Sequence, residues 1–328
     1  MDDSEVEPCI MTEIKRFDFF SHEIFGICHV PAQAIGKTGV ILFCPGHQYR
    51  VGPHRMYVKL ARLLEQNGFH VLHVDSEDIG DSTGGFDCQY LHEVHGLIQR
   101  GKFVRTARRI IQTFKKEYGL ENIVVSGLCG GSLTGLLAAR KCGDVDAILA
   151  FGLPLVYSDV SGHIFATNAE GATRKAAGGS SSSPISFFEK VRKPDLWKKI
   201  LTGQINIPSK LKLLRQEVEK KLLKRNPVIN YKVVKVLVYF LNSGRKIRLI
   251  FSENDFHLKN FFAVVDSIPD LKKSLTQTPG CISIIKGANH IISLPEWEQE
   301  FHKIFLFTLR SWFYQTYYQG HKIDDKRG

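Results

Sequence analysis

Apolar and polar positions along the chain fall into two alternating patterns. Val40-Ile-Leu-Phe-Cys44 is an unbroken apolar run stopped by Pro45-Gly46, which is how a strand buried on both faces reads. Met56 to Asn67 then sets Val58, Leu60, Ala61, Leu63 and Leu64 among charged residues at helical spacing. Asn67-Gly68 supplies a left-handed stop, and Phe69 to Val74 returns to an apolar strand, completing one strand-helix-strand step. The step recurs. Lys102 to Tyr118 carries Val104, Ala107, Ile110, Ile111 and Phe114 on one side, Gly119 ends it, and Asn122 to Val125 is the next strand. A small-residue helix from Leu133 to Arg140 leads through Asp144 to Leu149 into another. Ile247 to Phe251 and Cys281 to Ile285 are two later strands, and Glu296 to Tyr317 a closing helix. Strands alternating with helices predict an α/β fold with a mostly parallel central sheet flanked by helices.

The alternation is interrupted from about Gly152 to Gly244. Ala176 to Pro184 is a Gly/Ser-rich stretch that cannot pack a core. Downstream, Leu211, Leu214, Val218 and Leu222 form one stripe of a helix whose remaining surface is basic. The expected organisation is a sheet domain in two parts, residues 1–151 and 246–328, with an inserted basic helical lid at 152–245.

Composition fits this picture and narrows it. With 328 residues, 43% hydrophobic and 23% charged, the chain can bury a sizeable core and is not disordered overall. Seven cysteines, with no close C-x-x-C pair, do not make a disulfide scaffold or a zinc ribbon and read as reduced thiols. Four acids among the first seven residues are the reverse of a signal peptide's basic start, and no apolar run reaches membrane-spanning length, so a cytoplasmic setting is expected. The net charge of +11 is local: Phe188 to Lys246 holds 16 Lys plus Arg against four acids, leaving the rest close to neutral. Such a segment is either a solvated helix face or a surface for an anionic partner, such as a coenzyme A or carrier-protein thioester, or a membrane surface. No nucleic-acid-binding motif accompanies it. Tyr90-Leu-His-Glu-Val-His95 places its histidines at i and i+3 rather than the i and i+4 that share one ion, so no metal site is expected there. His73, on a strand, reads as packed rather than ligating.

The segment richest in chemistry is Ile123-Val-Val-Ser-Gly-Leu-Cys-Gly-Gly-Ser-Leu-Thr-Gly135. A strand runs into Gly127-Leu-Cys129-Gly-Gly131 and then a helix, matching a nucleophile elbow with cysteine where serine is usual. Glycines two before and two after the nucleophile let strand and helix approach, and the helix N-terminus lowers a thiol pKa. Glycine-rich turns also bind phosphate or simply pack, so partners matter. Phe251-Ser-Glu-Asn-Asp255 and Lys286-Gly-Ala-Asn-His290 stand after later strands, where an acid and a histidine complete a triad.

With these residues the chain resembles the α/β-hydrolase superfamily, of the serine aminopeptidase-like, lid-bearing type, over residues 40 to 318. Asp75 followed by Asp78 to Gly84 is similar to that fold's D-x-x-G-x-G-x-S-x-G loop, with its first glycine missing. The resemblance implies Cys129 as nucleophile, His290 as general base and Asp255 as its orienting acid, with Glu253 the alternative acid. It implies an oxyanion hole from the backbone N–H groups of Gly130 and His47, and no cofactor. Cysteine at the elbow is shared with dienelactone hydrolases. A thiolate suits esters, thioesters and lactones better than amides, because it leaves more readily than an amine. Three functions stay open: hydrolysis of a small acyl substrate, acyl transfer by the same triad, and binding without turnover. The sequence does not set the oligomeric state.

Overall fold

The computed structural model describes residues 11–19, 21–85, 87–88, 90–158 and 226–314. The Gly/Ser-rich stretch and the expected helix at 211–222 lie outside these residues, as does the end of the expected closing helix beyond residue 314. Eight strands form one sheet, in the order β1-β2-β4-β3-β5-β6-β7-β8. They are β1 (Met11–Phe19), β2 (His22–Val30), β3 (Thr38–Phe43), β4 (His70–Val74), β5 (Asn122–Leu128), β6 (Ala147–Phe151), β7 (Lys246–Ser252) and β8 (Ile282–Ile285). The helices are α1 (Met56–Gln66), α2 (Leu91–Arg100), α3 (Val104–Glu117), α4 (Gly130–Lys141), α5 (Tyr231–Asn242), α6 (Phe256–Ser267), α7 (Pro269–Thr276) and α8 (Pro295–Phe313).

Strands β3 to β8 are mutually parallel, while β2 pairs antiparallel with both β1 and β4. The central strands are buried along their whole length: β3, β6 and all of β5 beyond Asn122. That is why they read as continuous apolar runs. Each expected strand is present, within a few residues of its expected ends. The β1-β2 hairpin was not expected from the pattern, because β1 is an edge strand with Met11 and Ile14 exposed and Glu13, Lys15 and Arg16 interspersed with its apolar residues.

The chain divides into two compact units, Met1–Asp159 with Asn230–Gly328, and Val160–Ile229. Thus α5, which lies inside the stretch expected as the insertion, belongs to the sheet unit. Its Val233, Val234, Leu237 and Phe240 are buried, and it packs on α4, α7 and β7. Asn230 caps it, accepting from Val233 N at 3.3 Å, and donates its own amide to Gln99 O at 2.8 Å, which fastens the helix to the end of α2.

The closing helix α8 lays Phe301, Phe305 and Leu309 into a core shared with Leu60, Leu64, Phe69 and Phe151. Phe307, on its other side, is exposed. Six cysteines among the described residues are free. No helix among the described residues is long and apolar enough to cross a membrane.

Candidate active site

Because β5, β6, β7 and β8 are parallel neighbours, the turns leaving their C-terminal ends meet at one edge of the sheet, the usual location of sites in open α/β sheets. Cys129 follows β5 directly and is the N-cap of α4, with φ 53° and ψ −110°. This is a strained backbone for a residue with a side chain, and it lifts the thiol out of the sheet. The surroundings hold the strain in place. A Cβ on Gly127 would stand 2.6 Å from the Gly131 carbonyl carbon, and one on Gly131 would stand 2.2 Å from Phe43 O, so neither position tolerates alanine without movement. Tyr57, fully buried, donates to Phe43 O at 3.0 Å and accepts from Leu128 N at 2.6 Å, tying the ends of β3 and β5 together just before the thiol.

Asp255 and His290 arrive from the neighbouring strand ends. Asp255 is the N-cap of α6 and accepts His257 N at 2.9 Å. Its other oxygen lies 2.6 Å from His290 Nδ1. The pairing fixes His290 with Nδ1 protonated and Nε2 free to work. Glu253, the alternative acid, is exposed and accepts Gly287 N at 2.8 Å; it makes no bond to His290. Gly152, after β6, leaves room for the pair: with φ 57°, a Cβ there would stand 3.2 Å from His290 Cε1 and 3.3 Å from Asp255 Oδ2.

A second imidazole, missed in the sequence, stands beside the thiol. His257 Nε2 is 3.5 Å from Cys129 Sγ, and one donor atom each from Cys129, His257 and His290 lie within 4.8 Å of one another. His257 is buried, and its Nδ1 has no partner among the described residues. It was legible only as a histidine two residues beyond Asp255, in the first turn of α6, where a β-strand-to-helix turn aims side chains at the site.

Charge follows from this geometry. Burial alone would push the Cys129 thiol up, but His257 and then His290 outweigh it and bring the thiol down to about 6. Burial likewise opposes charge on His290, yet the Asp255 carboxylate and the Cys129 sulfur raise it to about 10. Asp255 is held below the ordinary carboxylate range despite its burial, by its bond to His290. The geometry therefore favours a thiolate at Cys129 facing a protonated His290.

The loop after β3 closes the other side. A Cβ on Gly130 would stand 2.7 Å from Gly46 Cα, so the backbones of the elbow and of the Pro45-Gly46-His47 turn touch. Gly130, as the first residue of α4, has a backbone N–H with no acceptor inside the helix. A cleft of about 350 Å³ opens over the thiol, lined by Pro45, His47, His95, Phe256, His257 and Ile291 among others. His95 thus stands at the cleft, edge-on to His47 at 4.9 Å. The Asp75 loop lies behind: the buried carboxylate accepts Arg50 N at 2.6 Å and pairs with the Arg50 guanidinium. A Cβ on Gly80 would stand 2.5 Å from Asp75 Oδ2.

No protein-family model matches the chain, and no curated protein sequence matches it. Solved structures do. An esterase from Pyrococcus furiosus is 14% identical with a TM-score of 0.54, over 93% of this chain and 92% of its own. An α/β-hydrolase from a Penicillium species is 15% identical with a TM-score of 0.54, over 92% of this chain and 99% of its own. An α/β serine hydrolase without lid from Xanthomonas campestris is 12% identical with a TM-score of 0.52, over 93% of this chain and 96% of its own. The chain has the α/β-hydrolase fold.

Proposed function

We propose that the protein hydrolyses an ester, thioester or lactone through an acyl-Cys129 intermediate, with His290 as acid and base and Asp255 as its orienting partner. The observation that carries the reading is the strained elbow of Cys129 beside the His290-Asp255 pair at 2.6 Å. Phosphate binding or packing alone would not call for an aligned carboxylate-imidazole pair at a cysteine.

The thiolate attacks the acyl carbon, and the carbonyl oxygen gains charge. Backbone N–H groups of Gly130 and His47, with the N-terminal end of α4 behind them, hold that oxyanion. The tetrahedral adduct expels the alkoxide or thiolate, which takes the proton from His290 Nε2, leaving acyl-Cys129 and a neutral imidazole. Neutral His290 then takes a proton from water as the water attacks the acyl carbon. Collapse releases the acid and restores the thiolate-imidazolium pair. Asp255 stays ionised throughout and stabilises the imidazolium at each turn. His257 adds a dipole at the sulfur; with no partner for its Nδ1 among the described residues to fix its tautomer, it is the weaker choice as base.

The reason to try anionic acyl donors is the basic stretch, of which Lys232, Lys235, Arg245 and Lys246 are among the described residues and the other twelve are not. A coenzyme A or carrier-protein thioester is accordingly the donor to try beside short p-nitrophenyl esters. Steady-state release of acid in the parent, lost in Cys129→Ala and His290→Ala with folding intact, is the expected result. An acyl-enzyme that drains only into an added alcohol or amine would make the protein an acyltransferase, and no reaction with any donor would leave a binding protein.

A further inference from the structure

Cys129, His257 and His290 are spread over 161 positions of sequence, so no linear ligand spacing announces them as a group. The fold nevertheless brings one sulfur and two ring nitrogens within 4.8 Å of one another. A tetrahedral zinc ion bound to one thiolate and two imidazoles requires donors about 3.5 Å apart, given Zn–S of about 2.3 Å and Zn–N of about 2.0–2.1 Å. Cys129 Sγ and His257 Nε2 already stand at 3.5 Å. His290 also has the support that ligating histidines usually have: its far nitrogen is bonded to the Asp255 carboxylate at 2.6 Å, an arrangement that fixes the tautomer and makes the near nitrogen more basic.

The donor types select the ion. One soft thiolate with two imidazoles suits zinc over magnesium or calcium, which want oxygen. Three protein donors leave a fourth position for a water to complete the tetrahedron, and all three donors line the cleft. The second histidine is what separates this centre from an ordinary triad. A cysteine, one histidine and an acid already bonded to it offer an ion two donors; His257 makes the third.

We propose that Cys129, His257 and His290 form a binding site for a zinc ion, and that its occupancy blocks the thiol reversibly. On binding, the proton held between the sulfur and the imidazoles passes to solvent, leaving a thiolate and two neutral imidazoles around the ion. The sulfur lone pair that would attack an acyl carbon is then committed to the metal, and His290 has no proton for a leaving group. The blocking effect rests on the reaction proposed above; the binding does not.

The test uses the full chain, stripped of metal with a chelator and kept reduced. Bound zinc is measured by equilibrium dialysis in the parent, Cys129→Ser and His257→Gln, each checked for its thermal transition. Alkylation of Cys129 by iodoacetamide is followed by peptide mass with and without zinc. The expected results are one zinc per parent chain, none at this site in Cys129→Ser, and affinity at least about tenfold weaker in His257→Gln. Zinc should slow alkylation of Cys129 at least about tenfold, and a chelator should restore it, since the reactive species is the thiolate with its lone pair uncommitted. Cobalt(II) in place of zinc should show a sulfur-to-metal charge-transfer band that Cys129→Ser lacks. Equal zinc binding by the parent and Cys129→Ser, or unchanged alkylation, would overturn the proposal. So would zinc that raises turnover. Protection of Cys129 by zinc in a protein that turns over no acyl donor would uphold the metal site and remove the hydrolase reading.

Discussion

The molecule contains two carboxylate-imidazole relays of nearly the same wiring and opposite electrical character. In one, Asp255 bonds His290 at 2.6 Å and His290 faces Cys129. In the other, Glu65 bonds His29 Nδ1 at 3.2 Å, and His29 Nε2 meets His73 Nε2 at 3.1 Å, within the sheet. His290 is raised to about 10, whereas burial lowers both His29 and His73 to about 4. Asp255 and the Cys129 sulfur outweigh burial at His290, whereas burial prevails at His29 and His73. Asp255 caps the N-terminus of α6 and receives a backbone N–H there, so the helix favours its charge. Glu65 sits in the last turn of α1, the negative end, its Oε1 without a partner among the described residues, and burial pushes its pKa up. At one relay Asp255 is held low and His290 high by each other; at the other, burial pushes Glu65 up and His29 and His73 down. A carboxylate next to a histidine is therefore not evidence of a working triad until its helix position and its third partner are known.

The largest expected effect comes from removing the feature that only the first relay has. Cys129→Ala should lower acyl turnover by about 10⁴-fold or more, read as kcat/KM on a p-nitrophenyl ester. The same cut in the sealed relay, His73→Gln, should leave the chemistry of the thiol untouched.

Next in size is the charge on the acid. Asp255→Asn keeps the shape but removes the counter-charge, so His290 loses its proton more readily and turnover should fall on the order of 10²–10⁴-fold. His290→Ala should fall in the same range. If Asp255→Asn were near the parent, the carboxylate would be as inert as Glu65.

A smaller effect isolates His257. With the parent thiol at about 6, alkylation of Cys129 should rise through that pH and level off well before pH 8. His257→Gln should move the midpoint upward by about one pH unit, because one stabilising imidazole is gone while His290 remains. An unchanged midpoint would assign the low thiol pKa to His290 and the helix alone.

The smallest effect belongs to the neutral relay. His29 and His73 take up protons near pH 6.5 when unfolded and only near 4 when folded. Between those values the unfolded chain binds more protons, so their contribution to stability is intact above pH 6.5 and is lost as pH falls toward 4. The thermal midpoint should decline over that window, and His73→Gln, with one buried imidazole fewer, should decline less steeply.

Much of this was legible in residues that punctuate apolar runs. The elbow glycines, the strand ends and the positions of Asp255 and His290 all follow from runs that stop at turn residues. What escaped has physical reasons. β1 has a half-exposed pattern because it is a sheet edge, so its apolar residues carry no face. α5 is nearly continuous apolar sequence inside a basic stretch, and charge counted over a window hid its burial. Gly152 and His257 carry no motif, since each matters only through a neighbour more than a hundred residues away, His290 for the one and Cys129 for the other. The sealed His29-His73 contact joins two strands whose pairing depends on register, which alternation alone does not give.

Intact-mass measurement after brief incubation with p-nitrophenyl acetate and an acyl-thioester, parent beside Cys129→Ala, tests the central claim most directly. The account predicts one acyl addition on the parent, mapped to Cys129 by peptide mass, and none on the variant. An equal acyl addition on both, or a parent that stays unmodified while it turns the donor over, would contradict a covalent cysteine mechanism.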